Sequence, residues 1–594
     1  MANILGISCY YHDAAACLVK NGVVVAAAEE ERFTRKKHDS DFPISAINFC
    51  LDFAHLISKD LDYVVFYEKP FLKLERLFLT IFQTYPQSFD YFHKTVTTWF
   101  IQKLWIKSHI IEKLGVKEDK ILFLPHHLSH AASAFLPSGF KQAAILTNDG
   151  VGEWTSSVYG TGSPDRIQLV KEMNFPHSVG LLYATITAFL GFEVNEGEYK
   201  VMGMAGFGKP NYKKEIYKLF HLFDDGSIQL NLKYFDFPHS TDKMFSPLVP
   251  KILGQPRTPG SPFFTLKSGY PIYYKDQPLN KKLAKENQVY ADIAASLQEI
   301  TEEIILTQAR HLHQETKLTR LCLAGGVGLN GVANGRIVKE TPFKTLFVQP
   351  AAGDSGGAMG SALYVSRFIA KEKKSFTLTN SYLGPKFSDQ EIVKALNSNH
   401  LLYKKFARKE LTDFVVKKLI GGQVVGWFQD RLEWGPRALG NRSILANPRK
   451  KDMKDNINVK IKFREPFRPF APVVIASKAH VYFDLPNVTK SQPAKFMTIV
   501  CNVRKNKQKE IPAVTHVDGT GRLQVIDRKV NPRYFDVVKR FGDKTGTYVL
   551  LNTSFNLKGE PIVNSPSDAI STFTRSGIDV LVLGNYLVEK GKIR

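Results

Sequence analysis

Cysteine is scarce in this sequence and scattered where it occurs. Cys9, Cys17, Cys50, Cys322 and Cys501 are odd in number and form no C-x-x-C pair. That excludes a disulfide framework or a thiolate zinc site and points to a reducing compartment. No uncharged apolar run reaches the roughly 18 residues that a membrane span needs, so no membrane partner is expected. The opening MANILGISCYYHD lacks a basic n-region and a small-residue cleavage site. It reads as a buried first strand, and a cytoplasmic location is expected. Acids are also short, with 56 Asp and Glu against 80 Lys and Arg, a net charge of +24. This excess attracts nucleic acid and phosphorylated small molecules alike. Much of it is local: residues 449–468 hold eight Lys or Arg against three acids.

What is present is globular. A hydrophobic share of 44% and a charged share of 23% exclude a disordered chain. A length of 594 residues predicts two or three domains. Apolar runs at residues 4–10, 14–19 and 23–29, the last two joined by Asn21-Gly22, read as a strand and a hairpin. The same layout returns at residues 143–147, 155–160 and 167–173, and an acid follows the first strand in each copy, Asp13 and Asp149. A duplicated domain with a cleft between its halves is expected. Between the copies, residues 63–105 are rich in aromatics at helical spacing, which fits core or subunit packing, a homodimer included, or an acceptor-binding lid. Residues 237–278, crowded with Pro and Gly, read as an irregular surface excursion. Val289, Ile293, Leu297, Ile300 and Ile304 mark one apolar helix face. The domains expected are residues 1–375 and 401–594, with 376–400 connecting them.

His126 and His130 stand four apart, so a helix would set both imidazoles on one face, a workable pair of metal ligands. Asp149 ends an apolar strand and Asp354 lies in a glycine-rich loop that leads into a small-residue helix. Two imidazoles and two carboxylates suit Fe²⁺, Mn²⁺ or Zn²⁺. The turns around Gly325, Gly326 and Asn330 and around Gly353 and Gly356 follow strand-like runs and open helices, a layout that brings backbone N–H groups to phosphate. His12, just past the first strand, is a candidate proton acceptor near neutral pH. In the C-terminal part, Arg437, Arg442, Lys462, Arg464, Arg468 and Arg522 surround apolar strands and outnumber Glu433, Glu465 and Asp518. Buried guanidinium groups need anionic partners and match phosphate oxygens, so a phosphate site is expected.

From GISCYYHDAAACL to LLNTSFNLKGEPIV the chain resembles the NodU/CmcH family of O-carbamoyltransferases, and GPRALGNRS with KFREPFRPFAP is the most specific part of the match. The resemblance implies an α/β protein: a duplicated ribonuclease-H-like (actin-like ATPase) domain followed by a YrdC-like domain. It implies that the second domain turns carbamoyl phosphate and ATP, with Mg²⁺, into carbamoyl-adenylate, with Arg437, Arg442, Lys462, Arg468, Arg522, Ser554 and Asn556 at the phosphates. The first would hold the adenylate through an Fe²⁺-type metal on His126, His130, Asp149 and Asp354, with Gly325, Gly326, Asn330, Gly353 and Gly356. His12 would help deprotonate the hydroxyl of a small-molecule natural product or sugar. Gly328 and Gly521 stand where the family usually has Ala, and neither change removes a ligand or charge. Two other readings compete. A metal-dependent ATPase or sugar kinase of the same fold would release ADP rather than AMP. An RNA-binding protein is not supported by any recognisable motif, and no nucleic-acid partner is expected.

Overall fold

The computed structural model describes residues 2–591 apart from 102, 267, 269–279 and 466. The chain forms two compact units. The first comprises Met1–Glu30, Asp39–Pro262 and Glu286–Leu378, and the second Glu31–His38, Phe263–Lys285 and Thr379–Arg594. The short segment Glu31–His38 belongs with the second unit, where Arg35 donates to the carbonyls of Pro561 and Ile562 at 2.9 and 2.7 Å. Residues 376–400 hold a helix, Asp389–Ser398, started by a Ser388–Glu391 capping box.

The first unit is built on two five-stranded sheets. One comprises β1 (Asn3–Ser8), β2 (Ala15–Lys20), β3 (Val23–Glu29), β4 (Tyr63–Phe66) and β5 (Ile121–Phe123) in the order β3-β2-β1-β4-β5. β1, β2 and β3 pair antiparallel through the expected Asn21-Gly22 turn, with both residues at positive φ, while β4 and β5 run parallel to β1. The second sheet has β6 (Ala143–Asn148), β7 (Thr155–Gly162) and β8 (Ile167–Asn174), then, beyond the small hairpin β9 (Phe220–Leu222) and β10 (Ile228–Leu230), β11 (Arg320–Ala324) and β12 (Thr345–Val348). Its order is β12-β11-β6-β7-β8, the same pattern with β6 in the place of β1. Two sheets of this ribonuclease-H-like order make the duplicated actin-like ATPase fold. Each central strand is buried on both sides, so it reads as a continuous apolar run rather than an alternation.

Two helices of small residues, His126–Phe135 and Asp354–Tyr364, pack at close range. A Cβ on Gly360 would lie 1.9 Å from the Ser129 carbonyl oxygen, and one on Gly6 of β1 the same distance from that of Ala358. The Ala and Gly content of both helices is thus what allows their backbones to meet. The long helix Lys281–Thr316 buries Ile293, Leu297, Ile300 and Ile304 as its spacing predicts, with Val289 partly exposed at one end of the stripe. The stretch expected as a surface excursion contains the helix Leu248–Leu253 with Val249 and Leu253 buried, because apolar side chains anchor it; its end, 269–279, lies outside the described residues. Among the described residues no helix is long and apolar enough to cross a membrane.

The second unit has a mixed eight-stranded sheet. Its strands are β13 (Lys404–Lys405), β14 (Val425–Phe428), β15 (Arg442–Ala446), β16 (Ala471–Ile475), β20 (Gln524–Ile526), β21 (Val549–Ser554), β22 (Val580–Leu583) and β23 (Tyr586–Glu589). They are arranged β13-β23-β22-β14-β15-β21-β16-β20. A three-stranded sheet joins β17 (Phe483–Asp484), β18 (Val500–Val503) and β19 (Thr520–Arg522). The helices Arg408–Ile420 and Pro532–Thr545 supply Leu411, Val415, Leu419, Val537, Val538 and Phe541 to a core closed by Val425, Leu445, Val473 and Leu550 of the large sheet.

Candidate metal centre and basic pocket

His126 and His130 project from one face of their helix, as the four-residue spacing requires. Asp149 stands one residue beyond β6, and Asp354 opens the helix Asp354–Tyr364. The four side chains meet. His126 Nε2 lies 3.0 Å from Asp149 Oδ2 and 3.0 Å from His130 Nε2, and His130 Nε2 lies 3.3 Å from Asp149 Oδ2. Both nitrogens are 3.7 Å from Asp354 Oδ1. A tetrahedral cation with bonds of about 2.1 Å holds its ligands ~3.4 Å apart, so the observed separations fit a first-row divalent ion. The partners outside the cluster aim these atoms inward. The Gly326 N–H donates to Asp149 Oδ1 at 2.9 Å, and the Tyr67 hydroxyl donates to Asp354 Oδ2 at 3.3 Å. In each carboxylate this leaves the other oxygen for the cluster.

Without a cation the cluster must hold protons. Burial lowers the His126 pKa, but hydrogen bonds with Asp149 and Glu68 and the nearby Asp354 charge bring it up to about 10. Burial favours the neutral acid at Asp149, yet its bonds to His126 and His130 hold it well below the carboxylate range. Asp354 is raised by burial, with His126 opposing and the Asp149 charge adding to the rise. His127 points away to Thr147 Oγ1 at 2.6 Å, and burial together with its two histidine neighbours keeps it neutral.

The glycine turns fall beside this centre. Gly325 adopts φ +86°, and a Cβ there would lie 2.2 Å from the Asn148 carbonyl oxygen, so only glycine lets the turn reach Asp149. Asn330 caps the helix Gly331–Glu340 through the Ala333 N–H and exchanges two hydrogen bonds with Gln298. A Cβ on Gly353 would meet open space, whereas one on Gly356 would strike the Ala351 carbonyl oxygen at 2.1 Å, so the second serves packing. His12 Nδ1 pairs with Asp13 Oδ2 at 2.8 Å. Burial works against its charge, but Asp13 and then Asp354 raise its pKa to about 9. Sequence reasoning missed Tyr67, Glu68 and Glu153. Glu68 follows β4, the parallel neighbour of β1, and lies 3.8 Å from His126 Nδ1, while Glu153 accepts from the His126 backbone N–H at 3.0 Å. A strand-end acid in YEKP was the one signal for Glu68.

In the second unit, Lys462, Ser554 and Asn556 come together. The Lys462 ammonium donates to the Ser554 carbonyl, to Ser554 Oγ at 3.2 Å and to Asn556 Oδ1 at 2.7 Å. Burial, then the charges of Arg464 and Arg468, push its pKa well down. Arg468 pairs with Glu465 at 3.3 Å. Arg437 and Arg522 are half-buried, the first in the loop ahead of β15 and the second at the end of β19. That loop is organised by Glu433, whose Oε1 accepts from the N–H groups of Leu439, Asn441 and Arg442 at 2.8, 2.8 and 3.2 Å. Arg442 is fully buried. Its guanidinium lies 3.6 Å from the Phe428 ring centroid and donates to the carbonyls of Gln429, Asp430, Asn441 and Pro385.

Duplicated sheets define an actin-like ATPase-fold protein, and its two-histidine, two-aspartate cluster is a candidate metal site. Residues 3–363 match the Carbamoyltransferase N-terminus model and residues 416–590 the Carbamoyltransferase C-terminus model, so the chain belongs to the carbamoyltransferase family and is a transferase. It is 42% identical to an uncharacterised protein of Synechocystis over 99% of this chain and 97% of that one. It is 37% identical to the nodulation protein NolNO of Sinorhizobium fredii over 98% and 79%. With the 3'-hydroxymethylcephem-O-carbamoyltransferase of Amycolatopsis lactamdurans it shares 33% identity over 50% of this chain and 54% of that one. Among solved structures, HypF of T. kodakarensis covers 62% of this chain and 48% of its own at 12% identity and TM-score 0.31. The fold assignment rests on the strand order given above.

Proposed function

We propose that the protein is an ATP-dependent O-carbamoyltransferase that works through carbamoyl-adenylate. The observation that carries the reading is the meeting of His126, His130, Asp149 and Asp354 beside the Gly325-Gly326 turn, whose Gly326 N–H donates to Asp149 Oδ1. A divalent cation held there, Fe²⁺, Mn²⁺ or Zn²⁺, supplies Lewis-acid and charge-neutralising chemistry toward a phosphate. The chain's own groups do the rest. The Gly326 N–H and the Tyr67 hydroxyl fix the two carboxylates.

In the second, YrdC-like unit carbamoyl phosphate gives up its phosphate to water. A carbamate oxygen then bonds to the α-phosphorus of ATP as pyrophosphate leaves. Arg437, Arg468 and Arg522 face the phosphate charge, and Lys462 holds Ser554 and Asn556 in place beside it. In the first unit the acceptor oxygen bonds to the carbamoyl carbon, the anhydride C–O bond breaks and AMP departs. His12 takes the hydroxyl proton in its neutral form, with Asp13 orienting the ring.

The test is to incubate the protein with ATP, Mg²⁺ and labelled carbamoyl phosphate without an acceptor and to separate the nucleotides. AMP with pyrophosphate is expected, falling at least about a hundredfold in Arg522→Ala. ADP with phosphate would overturn the reading and put the kinase-like alternative in its place.

A further inference from the structure

The helix Pro70–Thr84 buries charged and polar side chains beside the apolar Leu77 and Ile81. Phe71 and Phe82 face outward, 71% and 70% exposed, while Lys73, Arg76 and Thr80 lie on the buried face three and four residues apart. The Lys73 charge is answered by Glu68 at 2.7 Å. Arg76, only 5% exposed, has no such partner: among the described residues no carboxylate lies within ion-pair distance of it. Its Nη1 donates to the Gly152 carbonyl at 3.3 Å, its guanidinium lies 4.9 Å from the Phe175 ring centroid, and its Nε is buried without a hydrogen-bond partner. The carboxylates nearby are committed elsewhere, Glu68 to Lys73 and Glu153 to the backbone N–H groups of Lys69 and His126.

The place of this charge is informative. A Cβ on Gly152 would stand 2.9 Å from the His126 Cβ, so the carbonyl that holds Arg76 belongs to the residue packed against a metal-ligand imidazole. The Tyr11 and Tyr91 phenols lie within electrostatic reach of Arg76. Burial raises both phenols, Asp354 and Asp149 raise Tyr11 further, and the Arg76 charge opposes the rise at both. Tyr11 carries the Lys73 ammonium 4.4 Å from its ring centroid, and the residue keeps 43% of its surface exposed although its phenol is desolvated. A desolvated guanidinium without a counter-anion is costly, and its fork matches carboxylate and phosphate oxygens in bidentate fashion.

We propose that Arg76 binds an anionic group of the hydroxyl acceptor, a carboxylate or a phosphate monoester carried near the hydroxyl that receives the carbamoyl group. The proposal rests on the O-carbamoyl transfer set out above. It gives the aromatic insertion between the two sheet repeats a role in choosing the acceptor, with Arg76 as the specificity-determining residue.

The full-length protein, given ATP, Mg²⁺ and carbamoyl phosphate, is offered glycerol 3-phosphate against glycerol and glucuronate against glucose. Carbamoylated products are read by mass spectrometry and AMP by chromatography. The anionic member of at least one pair is expected to react at least about tenfold faster. That preference falls to parity in Arg76→Gln and returns in part in Arg76→Lys, while AMP formation without acceptor is unchanged in both. Parity in the wild type, no carbamoylation of any probe while AMP forms, or a preference that survives in Arg76→Gln overturns the proposal. Failure of the wild type to form AMP would instead overturn the reading of the reaction. Calorimetric titration with the same two anions then decides on Arg76: binding weakened about tenfold in Arg76→Gln upholds it, and equal or absent binding overturns it.

Discussion

Charge is buried in both units, and the two solutions are opposite. Arg442 is enclosed by backbone carbonyls from two stretches of chain, with an aromatic ring beneath it. Its burial lowers the guanidinium pKa to about 10, which still leaves it charged at neutral pH. In the first unit, His126, His130, Asp149 and Asp354 turn their ligand atoms toward one another. Fixed dipoles complete the first charge during folding, whereas four donors aimed at one point are complete only when a cation or a set of protons joins them. The first arrangement therefore suits stability and loop shape, and the second suits a ligand.

Removing Arg442 gives the largest expected effect. Arg442→Ala strips the carbonyls of Gln429, Asp430, Asn441 and Pro385 of their donor. A loss of about 3–5 kcal/mol in urea unfolding is expected, with Arg442→Met recovering the packing over Phe428 but not the hydrogen bonds. A stable Arg442→Ala that had lost AMP formation alone would break the comparison and make Arg442 a phosphate ligand. Asp149→Asn is expected to act in the reverse sense. Its main effect is on the ligand: it empties the site as read by elemental analysis and slows transfer at least about a hundredfold, and in the metal-free protein it also leaves His126 without its carboxylate partner. A strongly destabilised Asp149→Asn with its metal intact would show that the cluster is structural.

The difference between the two regions also explains what could be read from the sequence. His126 and His130 were legible because four-residue spacing on a helix is a local rule. Asp149 and Asp354 were legible because strand–turn–helix punctuation placed them. The duplication was legible from its hairpins, and the matching strand order confirmed it. What Arg442 and Asn330 actually touch was not legible, since their partners are backbone carbonyls and Gln298, brought in by contacts distant along the chain. Glu68, Glu153 and Arg76 were missed for the same reason. Composition marks each as an ordinary surface charge, and only the parallel pairing of β4 with β1 and the packing of the helix Pro70–Thr84 bury them.

His12 stands between the two extremes and sharpens the contrast least but most finely. Asp13 is a fixed partner at 2.8 Å, and the His12 side chain keeps 21% of its surface exposed. Its pKa of about 9 is above the unfolded value of about 6.5, so its contribution to stability is fully present below pH ~6.5 and is lost as the pH rises through about 9. Asp13→Asn removes the main cause of the rise. The variant should be less stable than the wild type by about 1–2 kcal/mol at pH 6, after allowance for solvent screening, and the gap should narrow toward pH 9. The same shift governs the proposed transfer. With His12 as the proton acceptor, the transfer rate should climb with pH to a limb near 9 in the wild type, and that limb should move toward 6.5 in Asp13→Asn, as NMR titration of the ring would report independently. A rate limb that stays in place while the NMR pKa falls would remove His12 from the proton-accepting role and leave it as a charge paired for structure, on the same side of the comparison as Arg442.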